Sequence, residues 1–442
     1  MDRMISQTAR GTCANMRTMI ERPIGWLGPP LPDSRYAVAR LVVAVLLMTI
    51  GTGGMYFVPV VMPQIQAEFG VSRADASLPY ALLMLGFGPG ALVMGRLMDR
   101  FSLTLPIVVG AASIGLGYVL AAQAGSLLAF SAAHGLLIGL LGCASTFSPL
   151  LADTSLWWTR RRGIAVAVCA SGNFLGGAIW PPLVQRLVEA HGWRWAYTTL
   201  GIASALMMLA LALFMRRRPS LAASQSTHEA AHPSGRPFGL GTPIALGLLM
   251  VAGVACCVAM AMPQVHIVSY CADLGYGPAR GAQMLSLMLA CGIVSRLACG
   301  LLSDRIGGLR TLLIGSALQC AALALFLPFD ALVSLYVICA LFGLAQGGII
   351  PAYTVVIREH FPAARAGTYV GAVVMCTLLG MASGSWMSGK LLDLTGSYRA
   401  AFWNGIAWNV LNFAIVLFLL LRLRRHPGIR GFGGALSTSA AD

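Results

Sequence analysis

Twelve apolar runs, separated by short loops that carry nearly all of the charge, constrain this chain more than anything else in it. They fall at 38–62, 75–98, 103–123, 127–151, 163–188, 195–215, 243–270, 280–303, 309–329, 332–357, 366–391 and 401–421. A helix needs about 20 apolar residues to cross the hydrocarbon of a bilayer. In lipid every backbone donor and acceptor must be satisfied internally, which leaves helices or closed barrels. No short alternating segments of barrel type are present, so the runs read as helices. Composition agrees: 57% of residues are hydrophobic and 10% charged, against about 25% charged in a soluble domain. The expected fold class is an all-α membrane protein with twelve transmembrane helices.

The formal net charge of +15 would suggest nucleic acid in a soluble protein. Here the excess is Arg at the ends of apolar runs, with no basic stripe interleaved with aromatics, so no nucleic-acid partner is expected. The loops on one side hold Arg100, Arg160, Arg161, Arg162, Arg216, Arg217, Arg218, Arg305, Arg310, Arg358 and Arg365. The other side holds Arg73, Arg194, Arg280 and Arg399. Cytoplasmic loops are enriched in Arg and Lys, so both termini are expected in the cytoplasm. Residues 216–242, rich in Ser, Pro, Gly and Ala, read as a flexible linker. The expected organisation is a tail over 1–37, six helices over 38–215, the linker, six helices over 243–421, and a tail over 422–442.

The two halves repeat. Gly95, Asp99 and Arg100 recur as Gly300, Asp304 and Arg305, and Pro59 recurs as Pro263. Gly163, Gly176, Gly192 and Gly201 recur as Gly367, Gly380, Gly396 and Gly405. Paired six-helix halves place a solute site near the bilayer midplane, between them. The 11 Cys are scattered through apolar segments without metal-ligand spacing, so no metal or cofactor is expected. Nor is there a G-x-S-x-G, H-E-x-x-H or P-loop pattern, and no catalytic residue is assigned.

The segments G-R-L-M-D-R at 95–100 and G-L-L-S-D-R-I-G-G at 300–308 resemble the signature loop of the major facilitator superfamily. The first copy departs from it, continuing as Phe101-Ser102-Leu103. R-G-I-A-V-A at 162–167, P-P-L at 181–183, H-G-W-R-W-A-Y at 191–197 and E-F-G-V-S-R-A-D-A-S at 68–77 narrow the resemblance. They are similar to the monocarboxylate transporter and oxalate–formate exchanger branch. The resemblance implies two pseudo-symmetric bundles, alternating access, and an Arg in the eighth span that binds substrate.

Arg296 falls at that place. It is the one basic residue near mid-membrane, and no Asp or Glu accompanies it there. Eight residues separate it from Asp304 at the helix end, or roughly 12 Å at the helical rise of about 1.5 Å per residue. A central Arg costs about 2.5–3.5 kcal/mol to insert on translocon scales. A bound anion, water or backbone carbonyls can compensate it, and an Arg bonded within the bundle is the alternative to a binding Arg. Its planar fork matches a carboxylate bidentately.

The proton-coupled animal carriers of this branch have an Asp one turn earlier, where this chain has Gly292, and a Lys after a Pro, where Val60 follows Pro59. The resemblance therefore carries over no proton relay, and exchange, symport and facilitated diffusion stay open. His134 and His266 read as packing residues.

Further candidates to line the pocket are Tyr56, Asn173, Gln264, Tyr270, Tyr353 and Trp386. The loop copies read as gates: Asp304 is expected to meet Arg161 and Arg162, and Asp99 to meet Arg365. These contacts, with Gly95, Arg100, Gly300 and Arg305, would hold the cytoplasmic side shut. The expected function is secondary transport of a small organic anion by a monomer in a bacterial inner membrane, with the lipid bilayer as its other partner. The rivals are a same-fold exporter of neutral or cationic compounds and a non-transporting solute sensor.

Overall fold

The computed structural model describes residues 31–158, 161–217, 237–362 and 365–425. Most of both tails and of the linker, including Arg218 and Arg430, lies outside the described residues, as does Arg160 between the fourth and fifth spans. Twelve helices are long and apolar enough to cross a membrane, and no strand occurs among the described residues. They are α1 (Arg35–Phe69), α2 (Arg73–Arg100), α3 (Thr104–Ala122), α4 (Leu127–Trp157), α5 (Arg162–His191) and α6 (Trp193–Arg216). The second half contributes α7 (Thr242–Asp273), α8 (Pro278–Ile306), α9 (Gly308–Leu325), α10 (Leu332–His360), α11 (Ala366–Thr395) and α12 (Tyr398–Arg425). The chain is a multi-pass membrane protein.

An even number of crossings puts both ends of the described chain on one face, here the terminal face; the other is the distal face. Many helices extend past their apolar runs. The expected first span began at residue 38, yet α1 begins at Arg35, and α4 continues to Trp157 rather than 151. The extra turns hold polar residues with partners inside the protein, which a hydropathy limit leaves out.

Three spans loosen or break near mid-length. α1 loosens at Thr52 and Gly53. The middle of α4, Ala133–Cys143, winds as a wider π-type helix. α10 breaks at Gly347 and Gly348, between Leu332–Gln346 and Ile349–His360. A Gly–Gly step carries no side chain to hold the helical path and is a common place for a kink.

α1–α6 pack mainly with one another, as do α7–α12. The halves meet along α2 with α11, α5 with α8, and α1 with α7. Because α2 matches α8 and α5 matches α11 in the repeat, the first two contacts are interchanged by the internal symmetry.

The halves fasten their terminal-face ends differently. In the first, buried Arg40 of α1 forms a two-pronged ion pair with buried Asp153 of α4, at 2.8 and 2.9 Å. Arg40 Nη2 also donates to the Met215 carbonyl of α6, and the guanidinium lies 4.9 Å from the Trp157 ring centre. At the matching end of α10, Glu359 instead accepts from the backbone N–H of Gly308, at the start of α9. Removing one partner of a buried pair leaves an uncompensated charge and typically costs about 3–5 kcal/mol. Asp153→Ala should therefore lower the melting temperature of the purified protein markedly, read by intrinsic fluorescence in detergent. A melting curve that overlays the parent's would show that the pair contributes nothing.

Candidate functional site

The side chain of Arg296 lies between the two halves, only 6% exposed, on the continuous helix α8. Its Nη1 donates to the Ala170 carbonyl of α5 at 2.8 Å, and its Nε to the Gly347 carbonyl of α10 at 3.3 Å. Its guanidinium carbon sits 4.2 Å from the centre of the Phe174 ring, one turn along α5 from Ala170. Nη2 has no hydrogen-bond partner among the described residues. The charge is thus held by two neutral carbonyls and a ring face, with no carboxylate.

Each contact has a local cause. The Gly347 carbonyl is presented where α10 breaks. Phe174 reaches the guanidinium because Gly292 leaves it room: a Cβ at 292 would lie 2.7 and 2.8 Å from two ring carbons. Any larger side chain at 292 would press on that ring.

Polar side chains flank the arginine. Tyr56 of α1 donates to Asn173 Oδ1 at 2.7 Å, and Asn173 directly precedes Phe174. Gln264 of α7 donates to Gln346 Oε1 at 2.8 Å. Gln346 adjoins Gly347, and its own Nε2 is buried without a partner. Four expected residues, Arg296, Tyr56, Asn173 and Gln264, are therefore connected: Arg296 to Asn173 and Tyr56 by way of Phe174, and to Gln264 by way of Gly347 and Gln346.

Tyr270 and Tyr353 have their partners elsewhere. Tyr270 packs on Tyr398 and Phe402 at the distal end of α7. Tyr353 is fully buried and donates to Asn412 of α12. Trp386 is 42% exposed. These residues were candidates because they are polar or amphipathic within apolar runs, and that signal does not say which way a helix faces. The two histidines are packed: His134 shares hydrogen bonds with the Phe130 carbonyl and the Tyr197 hydroxyl, and His266 with the Ser385 carbonyl.

The expected gate contacts are not formed in this conformation. Asp99 and Asp304 are exposed, and neither makes an ion pair among the described residues. A Cβ on Gly95 or Gly300 would meet nothing within 4 Å. The halves do not meet at these two glycines. Deeper in, they touch: a Cβ on Gly88 of α2 would run into the Met375 sulfur of α11.

Sequence reasoning missed Ala170, Phe174, Gln346 and Gly347. Phe174 reads as one more apolar residue, and two of the others act through backbone carbonyls. The Gly–Gly step was the available signal.

The model of the Major Facilitator Superfamily matches residues 43–385 and 299–439. The chain belongs to that superfamily. This transporter is 31% identical over 394 residues to rat (Rattus norvegicus) monocarboxylate transporter 13, covering 86% of each chain. It is 25% identical over 297 residues to the agnestins efflux protein of Paecilomyces divaricatus, covering 65% of this chain and 64% of that one. In three dimensions it is similar to a bacterial homologue of the human lysosomal transporter Spinster, in an inward-facing and occupied conformation. That match has a TM-score of 0.68 at 15% identity and covers 90% of this chain and 99% of that one. The protein is a major facilitator superfamily transporter resembling the monocarboxylate transporter branch, and its family points to transport of a small molecule rather than catalysis.

The Gly292–Phe174 contact is testable. Gly292→Val should overpack against the Phe174 ring and destabilise the protein by about 1–3 kcal/mol, read as a lower melting temperature in detergent. A melting curve that overlays the parent's would show that the ring's position is immaterial.

Proposed function

We propose that this transporter carries a small organic anion, a monocarboxylate or similar, by alternating access, with Arg296 as its anion-binding residue. The supporting observation is the partner set of Arg296: two neutral carbonyls, an aromatic face, and no carboxylate. A buried charge of this kind is stabilised further by any anion that reaches it. The free Nη2 and the adjacent Nη1 give a carboxylate the two-pronged geometry it favours. Tyr56, Asn173, Gln264 and Gln346 are placed to bond the rest of the solute.

The Arg-rich terminal face is the cytoplasmic one, by the charge rule for membrane loops. The conformation, apart at that face and joined beyond it, is then inward-facing, as the Spinster homologue's is said to be. Asp99, Asp304, Arg161, Arg162 and Arg365 act in the opposite state, when those ends come together. A bacterial inner membrane, a linker over 216–242 between the halves, and a monomeric carrier complete the reading.

A second reading is export of neutral or cationic compounds, favoured by the relative named as an efflux protein. Binding discriminates the two. A carboxylate at 100 times its dissociation constant stabilises the protein by about 2.7 kcal/mol, a measurable thermal shift. The shift should vanish in Arg296→Ala and be reduced in Arg296→Lys, which keeps the charge but loses the fork. A parent protein indifferent to every small carboxylate, yet shifted by neutral or cationic compounds equally with and without Arg296, would replace the anion reading with the export one.

A further inference from the structure

At the distal face the two halves are joined by polar contacts between residues far apart in the chain. α2 opens with a short turn, Arg73–Ala76. Asp393, near the end of α11, accepts from the backbone N–H groups of Arg73 and Ala74 at 2.9 and 2.8 Å. The Arg73 side chain reaches the other way, to Asp273 at the end of α7, at 2.7 Å. Asp273 also accepts from the Tyr398 hydroxyl of α12. One residue of the first half is thus held by two carboxylates of the second.

The contact is close as well as polar. A Cβ on Gly389 of α11 would lie 2.8–2.9 Å from Ala74 Cα, Ala74 N and the Arg73 carbonyl oxygen. All three are backbone atoms, so none can swing aside. Arg73 is only 7% exposed, yet its Nε and Nη1 are buried without partners among the described residues. A buried guanidinium satisfied on one nitrogen is a costly arrangement, a cost that water relieves when the contact opens. A cleft of ≈ 480 Å³ between α1, α2 and α7 is bounded by Arg73 and Asp273, which gives water a route to both charges once they part.

We propose that Arg73, Asp273 and Asp393, with the glycine contact at Gly389, form the latch that closes the distal face. It opens when the carrier turns outward. The charges give the latch its strength, and Gly389 gives it its closeness, so the two can be attacked separately. Asp393→Ala removes the acceptor of two backbone donors, whereas Gly389→Val wedges α11 away from α2 without touching a charge. Both should shift the molecule toward the same distal-open form.

Spin labels on Leu128 in the first half and Leu394 in the second, both exposed, report the separation by electron–electron resonance. The parent should show mainly the short distance. Asp393→Ala and Gly389→Val should each raise the ratio of long to short roughly ten- to hundredfold, the range expected for losing charge-assisted hydrogen bonds. Exchanging the charges, Arg73→Asp with Asp273→Arg, should restore much of the short population lost in Arg73→Asp alone. If Asp393→Ala cannot be purified, Asp393→Asn keeps the shape and removes the charge. Unchanged distance distributions in Gly389→Val and in the Asp393 variant, at parental melting temperature, would overturn the latch. This readout is independent of which solute is carried, so it stands or falls apart from the anion reading.

Discussion

A guanidinium buried in an apolar bundle must be compensated, and much of the centre of this transporter is arranged around that requirement. Arg296 has no carboxylate to pair with, so backbone oxygen takes the place of a counter-charge. Oxygen within a regular helix is already engaged by the helix's own N–H groups. The break at Gly347 relaxes this for α10, and Phe174 offers its ring face where no further oxygen is to hand. Gly292 is in turn required by Phe174. The irregular backbone, the aromatic residue and the missing side chain are three consequences of one uncompensated charge.

The same centre must also let two halves move. Ala170 and Phe174 belong to the first half, and Gly347 and Arg296 to the second, so the arginine's own bonds tie the bundles together at mid-depth. Symmetry supplies the rest of the seam: α2 with α11 and α5 with α8 are equivalent contacts in the repeat. Such a seam can close at either end by small rotations of rigid halves. In this conformation the tight packing lies at mid-depth and toward the distal face.

Much of the architecture was legible in the sequence because lipid makes it so. Hydropathy gave all twelve spans, and the recurrence of Gly95, Asp99 and Arg100 as Gly300, Asp304 and Arg305 gave the pairing of halves. Arg296 was legible because a mid-membrane charge is rare enough to be conspicuous. What surrounds it was not. A carbonyl such as that of Ala170 belongs to every residue, and its availability depends on which way a helix faces. Arg73, Asp273 and Asp393 looked like ordinary loop charges because nothing in their spacing brings residues 320 positions apart into contact. The pairs expected at Asp99 and Asp304 are not formed in the arrangement described.

The internal symmetry fails where it matters most. Arg296 lies four residues before Gly300, and the matching place before Gly95 is Ala91. Only one half therefore brings a charge to the centre. A solute gripped by that charge would be cargo of the second bundle, travelling with α8 while the first bundle slides past it as a wall. Its charged end would keep one partner throughout the cycle, and its remaining atoms would exchange theirs. Discrimination among solutes of equal charge would then fall to the first bundle, where Tyr56 and Asn173 form the surface that the cargo sweeps across.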